Sequence, residues 1–383
     1  MLTTLAHSQI EGKFTLSKLQ FAAGEPIWLE FEMTNIGTDT LYFDAGSPYS
    51  FCGGYRLEVT QGNPIQHPSC SGGVGGSCPS VTHTFRGGAQ LRDKLLLNYD
   101  HDLSQPARYH VRATRYVSTA TTHDLAAMVN GRQTTLTDEF DIEITAPDDT
   151  ILKTQLAPYV EQLKSPNEEV AREAARVLSS SSAAFLELTM LAMLDRPAMR
   201  QFAITGLRNI NTPAAREALA NIARSGIPKY SYEGDMAAKA LSEMGDQEYF
   251  PLLKQIAESK PPDQSGEAVR YAATLGGDDA ISWLASKLRD RDPIARGEVI
   301  WALAATGSRR AVPMLIDLLL SNDEHAPRAA EIALVQLTHR SVRDKYRSGA
   351  PIVAHQSWLR WWASHPDATV YGPKSCGEIQ PLN

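Results

Sequence analysis

Four cysteines are the residues of this 383-residue chain best suited to redox chemistry. Cys52, Cys70 and Cys78 fall within 27 positions of a glycine-rich region, and Cys376 lies near the end of the sequence. An even number of clustered loop cysteines is typical of an oxidised protein. The seven small residues between Cys70 and Cys78 can close a disulfide ring, which would leave Cys52 for Cys376. Four cysteines allow three connectivities, so other pairings stay open.

Two histidines near these cysteines raise a metal-binding alternative. His67, Cys70, Cys78 and His83 combine two thiols with two imidazoles, the usual ligands of structural zinc. Their spacing matches no common zinc motif, so disulfides remain the favoured interpretation. Unpaired thiols of a cytoplasmic protein are the third interpretation. We predict neither a metal site nor a cofactor.

The polar stretch NYDHDLSQP contains the residue types of a hydrolase triad in Asp100, His101, Asp102 and Ser104. Neighbours in sequence do not by themselves form a triad, which is defined by the spatial arrangement and roles of its members. The chain also lacks the GxSxG, HExxH, P-loop and GxGxxG motifs. We therefore predict no catalytic residues and a non-enzymatic protein.

The elements of the second half of the chain recur at a fixed interval. Gly245, Gly276 and Gly307 are spaced 31 residues apart, and each ends a helix-like apolar run. Asn211 holds the same place one unit earlier. Glycine and asparagine tolerate the left-handed conformation of a helix C-terminal cap. A period of about 20 to 50 residues predicts a solenoid of stacked helix pairs.

The helical region is predicted to span 148–340. The periodicity changes after Pro147, where Asp148 and Asp149 offer an N-cap for the first helix. The predicted helix pairs are 150–164 with 168–180, 184–194 with 197–208, 214–225 with 232–244, 248–258 with 266–275, 279–288 with 292–305, and 310–320 with 324–338. These six pairs predict about six repeats.

Residues 12–147 show the alternation of β-strands, after an N-terminal segment at 1–11. In PIWLEFEMTN, the apolar side chains of Ile27, Leu29, Phe31 and Met33 share one face. The other predicted strands are FTLSKLQF, TLYFDAG, YRLEVTQG, KLLLNYD, ARYHVRATRYV and DEFDIEIT. Several short antiparallel strands predict a β-sandwich, so the fold class is a multidomain chain, all-β followed by all-α.

The order of these strands resembles a known class of sandwich domain. GEPIWLEFEMTNIGTDTLYF comes early and SQPARYHVRATR late, as in the immunoglobulin-like domains found as extracellular accessory modules of bacterial proteins. The resemblance covers about a third of the chain and implies an immunoglobulin-like β-sandwich at 12–147.

The helical region resembles bacterial HEAT repeats of the type shared with phycobilisome lyase-like proteins. In that family a first helix of the AVPxLxxLL kind precedes an Asp-containing turn and a second helix that begins with arginine. The matching residues are Ala311, Val312, Pro313, Leu315, Leu318 and Leu319, with Asp292 and Arg296 in the preceding unit. The resemblance implies an α-solenoid, but the architecture hosts unrelated functions.

Three tryptophans follow the predicted array, within 341–383. Trp358, Trp361 and Trp362 in QSWLRWWASHPD have helical spacing, and the segment resembles the tryptophan-rich helix that follows such arrays in related bacterial proteins. We predict that this helix caps the exposed end of the last repeat. The alternative is an aromatic platform for sugar or peptide.

Arginines on the second helices are the candidate partner-binding residues. Arg200 and Arg296 each lie eleven residues before Asn211 or Gly307. The full candidate set is Arg172, Arg200, Arg270, Arg296 and Arg328. The functional interpretation is a basic groove for an acidic partner. The structural interpretation, which we favour, pairs these arginines with a helix carbonyl or with nearby aspartates such as Asp195 and Asp292.

Composition and charge limit the classes of partner that we expect for this protein. The net charge of -7 and the pI near 5.8 give no reason to expect nucleic acid as a partner, and no apolar run is long enough to span a bilayer. We expect a scaffold that binds a protein on the concave face of the HEAT array. A bilin-lyase-like enzyme and a carbohydrate-binding accessory protein are the alternatives. The cysteine pattern favours a periplasmic or extracellular location over a cytoplasmic one.

Overall fold

The computed structural model describes residues 9–44, 54–61, 82–124, 130–225, 231–261, 264–288, 293–323, 325–341, 351–372 and 380–381. Contacts between Cα atoms divide the chain into two compact units, Met1–Leu186 and Glu187–Asn383. Among the described residues, the first unit is rich in β-structure and ends in helices, and the second is mainly helical.

Strands are the most abundant regular structure of the described N-terminal unit. They are β1 Ile10–Leu16, β2 Gln20–Ala22, β3 Trp28–Asn35, β4 Leu41–Asp44, β5 Tyr55–Gln61, β6 Thr82–Phe85, β7 Gln90–Leu96, β8 Ala107–Ala120 and β9 Arg132–Thr145. One sheet has the order β1-β3-β7, and the other has the order β2-β9-β8-β4-β6 with β5 also paired to β8. Within these two sheets, the described pairs are antiparallel except for β2 with β9.

The two sheets share an apolar core. Phe14 and Phe31, from the first sheet, belong to the same buried cluster as Phe43 and Val117 from the second. The rings of Phe14 and Phe31 lie 4.7 Å apart. The predicted alternation of β3 is confirmed, because every second residue from Ile27 to Met33 is buried. Apolar side chains on one face of a strand are therefore what hold the sheets together.

Two strand predictions are wrong in detail. FTLSKLQF is not one strand, since β1 and β2 belong to different sheets. KLLLNYD ends as a helical turn, Leu97–Asp100, in place of a strand. Asn98 explains this turn, because its Oδ1 accepts a hydrogen bond from the Ile27 amide at 3.1 Å and Leu97 N donates to Ile27 O at 2.9 Å.

Two helices complete the N-terminal unit, α1 Asp149–Gln162 and α2 Glu168–Ser179. Asp148 caps α1 as predicted, accepting hydrogen bonds from the amides of Thr150 and Ile151. Trp28 Nε1 donates to Tyr159 Oη at 3.2 Å, which ties α1 to the start of β3. The change from strand to helix therefore falls near the predicted join, whereas the compact unit extends to Leu186.

The C-terminal unit contains a succession of helices. They are α3 Glu187–Met193, α4 Arg200–Ile210, α5 Pro213–Ser225, α6 Tyr232–Met244, α7 Phe250–Ser259, α8 Gly266–Gly276, α9 Ala280–Lys287, α10 Pro293–Ala305, α11 Ala311–Leu318, α12 Ala326–Thr338 and α13 Pro351–Ser364. Two short strands, β10 Arg340–Ser341 and β11 Gln380–Pro381, pair in parallel. We call α4, α6, α8, α10 and α12 the second helices, and each packs against the helix before it.

The second helices also stack on one another in order. Small residues permit this approach, since Ala272, Ala302 and Ala333 are fully buried. A Cβ atom added at Gly266 would lie 2.4 Å from the Glu298 carboxylate, so α8 and α10 nearly touch at that point. Burial of an alanine-rich side therefore leaves the opposite side of each second helix in solvent.

The glycine period is confirmed at two positions and shifted at a third. The residues with positive φ after the second helices are Asn211, Gly245, Gly277, Gly307 and His339. Gly276 is helical, with φ near -77°. It faces Phe250, whose ring would lie 2.6 Å from an added Cβ, so this glycine serves close packing.

Candidate functional site

The second-helix face is the exposed side of α6, α8, α10 and α12, on which Lys239, Arg270, Trp301 and Ile332 form a row at intervals of 31 residues. Lys239 is exposed, Arg270 has 42% of its side chain in solvent, and Trp301 is half-buried. Ile332 is 44% exposed. Because the helices stack in order, equivalent positions line up across them.

Helical periodicity accounts for the position of each member. On α12, Ala330, Ala333, Leu334 and Leu337 are buried, and this leaves Ile332 on the solvent side. The same spacing on α6 buries Ala237, Ala238 and Leu241 around Lys239. The row is therefore a product of the repeat and not of a single local motif.

Ion pairs surround the basic end of the row. Arg270 Nη2 lies 3.7 Å from Glu267 Oε1 on the same helix. Asp235 pairs with Lys260, which comes from the end of α7. Burial, together with the charges of Glu267 and Asp235, raises the pKa of Tyr271. The Tyr271 hydroxyl donates to Glu267 Oε2 at 3.4 Å, so it belongs to the same network of charges.

Lys239 has no ion pair among the described residues, in contrast to the arginine one unit earlier. Arg208 Nη1 on α4 donates to Glu243 Oε2 on α6 at 2.8 Å. The fold thus uses Arg208 to join two repeats, whereas the charge of Lys239 faces solvent.

The predicted arginines are divided between two roles. Arg296 pairs with Asp323, in the turn before α12, and Asp292 lies outside the described residues. The hydrogen bond from Arg296, with those from the amides of His325 and Ala326, lowers the pKa of Asp323 from 3.8 to about 2. This pair links α10 to the next repeat unit.

The other arginines are not equivalent to Arg296. Arg200 Nε donates to the carbonyl of Leu194 at 2.9 Å, and Asp195 is exposed. Arg328 is exposed on α12, one turn before Ile332. Arg172 is exposed on α2 and belongs to the N-terminal unit. Arg270 and Arg328 are therefore the two predicted arginines that lie on the second-helix face.

The tryptophans of α13 are mostly covered. Trp358 is fully buried and its Nε1 donates to Glu331 Oε2 of α12 at 2.9 Å. Trp361 is buried as well, 5.7 Å from the Trp358 ring in an edge-to-face arrangement. The guanidinium of Arg309 lies 4.4 Å from the centre of the half-buried Trp362 ring. The three rings do not form an exposed stacking platform.

Two residues that the sequence reasoning missed hold the segment after α13. Arg309 donates to the carbonyls of Pro366 and Ala368. His339 stacks on Tyr371 at 3.8 Å, and the amide of Tyr371 donates to the Leu337 carbonyl at 2.8 Å. His339 continues the series of positive-φ caps, which was the available signal for it.

The stretch with triad residue types folds as a turn. Asp102 Oδ1 accepts from the Ser104 amide at 3.1 Å, and burial lowers the pKa of His101. No group of three or more His, Cys, Asp or Glu residues within the described part of the chain could hold a metal ion. His83 lies exposed on β6. The remaining residues of the disulfide and zinc predictions, Cys52, His67, Cys70, Cys78 and Cys376, lie outside the described residues.

None of the described helices combines the length and apolar character needed to cross a membrane.

Comparison with known proteins identifies one repeat type. The HEAT repeats family matches residues 252–335, which run from α7 to α12. The chain therefore contains HEAT repeats in that region. No curated protein matches the chain.

Two solved structures align with most of the chain at low similarity. A crystal structure of a Salmonella alpha-2-macroglobulin mutant shares 12% identity and a TM-score of 0.20, over 85% of this chain and 26% of that one. The native conformation of E. coli alpha-2-macroglobulin shares 11% identity and a TM-score of 0.21, over 86% and 25%. The chain thus spans about a quarter of the length of each.

Proposed function

We propose that this protein is a non-enzymatic scaffold that binds a protein partner on the second-helix face, which the HEAT resemblance makes the concave face. One observation carries the proposal: the side chains of a row from Lys239 to Ile332 are partly or fully exposed, on helices whose alanine-rich side is buried. Solenoids present extended surfaces of this kind, and function on them depends on contact area, with no need for a deep pocket.

The HEAT match supports a protein partner in general terms, because such repeats commonly mediate protein–protein interaction. We propose that the array extends beyond the matched region, from α3 to α12, and that α13 caps its end. The alternation of first and second helices and the burial of Trp358 against α12 support this extension. An additional helix pair, α1 and α2, would belong to the same series by sequence.

We further propose that the two-sheet N-terminal region is an immunoglobulin-like accessory module and that the protein works in the periplasm or outside the cell. The shared core of two mostly antiparallel sheets supports the first part. The second part depends on the cysteine pattern alone. Peptide mapping without reductant tests it: links from Cys70 to Cys78 and from Cys52 to Cys376 are expected, and four free thiols would contradict it.

Site-specific photo-crosslinking tests the scaffold hypothesis. A photoreactive amino acid at Lys239 or Ile332 in the full chain should capture the same protein from native extract. The matched controls are Gln255 and Asp317, which are exposed on the first helices α7 and α11. Equal capture from all four positions, or turnover of a small molecule with no capture, would overturn the proposal.

The alternatives make different predictions. A bilin-lyase-like enzyme should change the absorbance of bilin on co-expression, and no change would remove that alternative. A carbohydrate-binding protein should give a signal on a glycan array. The burial of Trp358 and Trp361 gives no support to the tryptophan cluster as its sugar platform.

A further inference from the structure

The second-helix face has an apolar centre on its last two helices. Ile332 is 44% exposed on α12, and Val335, one turn later, is half-buried. Trp301 of α10 is half-buried at the equivalent position of the preceding repeat. Scattered apolar residues on a surface need no explanation, but neighbouring ones on adjacent helices form a patch. Tryptophan is also among the residues most enriched at binding hot spots.

Cations flank this apolar centre. Lys239 and Arg270 precede it along the row, and Arg328 lies one turn before Ile332. Among the described residues Lys239 and Arg328 form no ion pair, and Arg270 has only the 3.7 Å contact with Glu267. These charges do not hold the fold together.

Other cations of the C-terminal unit differ from Lys239 and Arg328 because they form ion pairs. Arginines that join repeats have a carboxylate from a neighbouring element, as in Arg208 with Glu243, Arg216 with Asp246, and Arg296 with Asp323. A long cationic side chain left in water on a repeat surface is available to a ligand.

Three carboxylates also belong to this region. Glu267 has 65% of its side chain in solvent and, within the part of the chain that the structure describes, is the one acid that pairs with Arg270. Glu298 is turned toward Gly266, and its buried Oε2 has no hydrogen-bond partner among the described residues. Glu331 is engaged by Trp358. The charges that point outward are therefore mainly positive, although the whole chain carries a net charge of -7.

We propose that the second-helix face binds an acidic amphipathic segment of a partner protein. Apolar side chains of the segment would lie on Trp301 and Ile332, and its carboxylates would meet Lys239 and Arg270 earlier in the row and Arg328 one turn before Ile332. Charge complementarity selects such a segment over a basic one. The inference rests on the proposed function and specifies the chemistry of its partner.

The dimensions of the row set the length of the segment. Packed helix axes lie about 8–10 Å apart, so the three steps from α6 to α12 span about 24–30 Å. An extended chain advances about 3.3 Å per residue and crosses this distance with about nine residues.

Peptide display gives a direct test with a defined probe. The full chain is immobilised and panned with a library of random peptides of about 16 residues, long enough to span the row. The expected peptides combine Asp or Glu with Leu, Phe or Trp. Synthetic copies should bind Ile332→Ala about tenfold or more weakly than the wild type, as for loss of a hot-spot contact.

Charge reversal tests the electrostatic part. The double variant Lys239→Glu with Arg270→Glu should reverse the preference toward Lys- or Arg-containing peptides. The matched control adds two acids on the first helices, Gln255→Glu with Ser282→Glu, both at exposed positions, and should leave binding unchanged. Circular dichroism verifies that each variant is folded.

Three results would overturn the inference: enrichment of basic peptides, binding that the face variants leave unchanged, or no enrichment at all. If crosslinking from Lys239 and Ile332 still captures a protein, only the inference that the partner segment is acidic is wrong. If crosslinking fails as well, the proposed function is wrong with it.

Discussion

At the scale of single residues, two glycines that occupy equivalent positions in the sequence are required for different physical reasons. Gly245 has φ near 77° and open space around an added Cβ. Gly276 is helical and is pressed against the Phe250 ring. The first needs a left-handed backbone, and the second needs the absence of a side chain.

Substitutions should separate these two requirements. Gly245→Ala should lower the free energy of unfolding by about 1–2 kcal/mol through backbone strain, and Gly245→Asn should lose less because asparagine tolerates this conformation. At Gly276 the order should reverse, since the larger asparagine clashes more and alanine regains about 1 kcal/mol of helix propensity. Urea unfolding of the four variants measures this. The same rank order at both sites would contradict the assignment.

Asp323 combines an ion pair with a helix cap. Its pKa of about 2 lies below the ordinary 3.8, so the folded state holds this carboxylate charged more strongly than the unfolded chain does. The stability that it contributes is therefore complete above about pH 5 and is lost as the pH falls from about 4 through 2.

The variant Asp323→Asn should be less stable than the wild type at pH 6, and the difference should shrink as the pH approaches 3. Chemical unfolding at both pH values gives the comparison. Asp317→Asn, on the exposed side of α11, is the matched control. A gap that stays constant with pH would contradict a stabilising role for the charge of Asp323.

At the scale of elements, the attachment of α13 to α12 depends mainly on one tryptophan. Trp358 is fully buried and bonds to Glu331, whereas its neighbour Leu359 is 42% exposed. Trp358→Ala should cost about 3–5 kcal/mol of unfolding free energy, and Leu359→Ala much less. The measurement is urea unfolding followed by circular dichroism. Equal losses would show that α13 is only loosely attached.

Patterns within one element were predictable from sequence, and contacts between elements were not. The alternation in β3 and the Asp148 cap depend on nearby residues, and both were predicted correctly. The partner of Arg296 was not, because the stacking of α10 on α12 brings Asp323 to it from the following unit. The turn at Leu97 was missed for the same reason, since Asn98 is held by the distant Ile27.

The candidate site likewise combines features that the sequence predicts with contacts between elements that it does not predict. Interval and burial together define the row from Lys239 to Ile332, and the interval was visible in the sequence. Which cations remain free of ion pairs depends on neighbouring repeats, so Arg208 and Lys239 look alike in sequence and differ in the structure. Lys239 and Trp301 were therefore overlooked, and Arg200 bonds the Leu194 carbonyl, in line with the structural interpretation of the arginines.

At the scale of the whole molecule, the sequence and the structure give different ends for the N-terminal unit. Strand periodicity predicts an end at residue 147, and compactness includes α1 and α2 up to Leu186. Asn98 connects the parts, bonding the Ile27 amide, the Glu25 carbonyl and the Ser180 hydroxyl.

A pair of fragments decides between these limits. Residues 1–186 should unfold in one cooperative thermal transition, whereas 1–147 should melt at lower temperature and bind a hydrophobic dye, because removal of α1 uncovers the surface that Leu152 and Leu156 bury. Within 1–186, Leu156→Ala should cost about 2–5 kcal/mol, as expected for a fully buried leucine. Ile151→Ala is the matched control at a side chain that is 41% exposed. If 1–147 proves as stable as 1–186, the two helices belong to the array and not to the sheets.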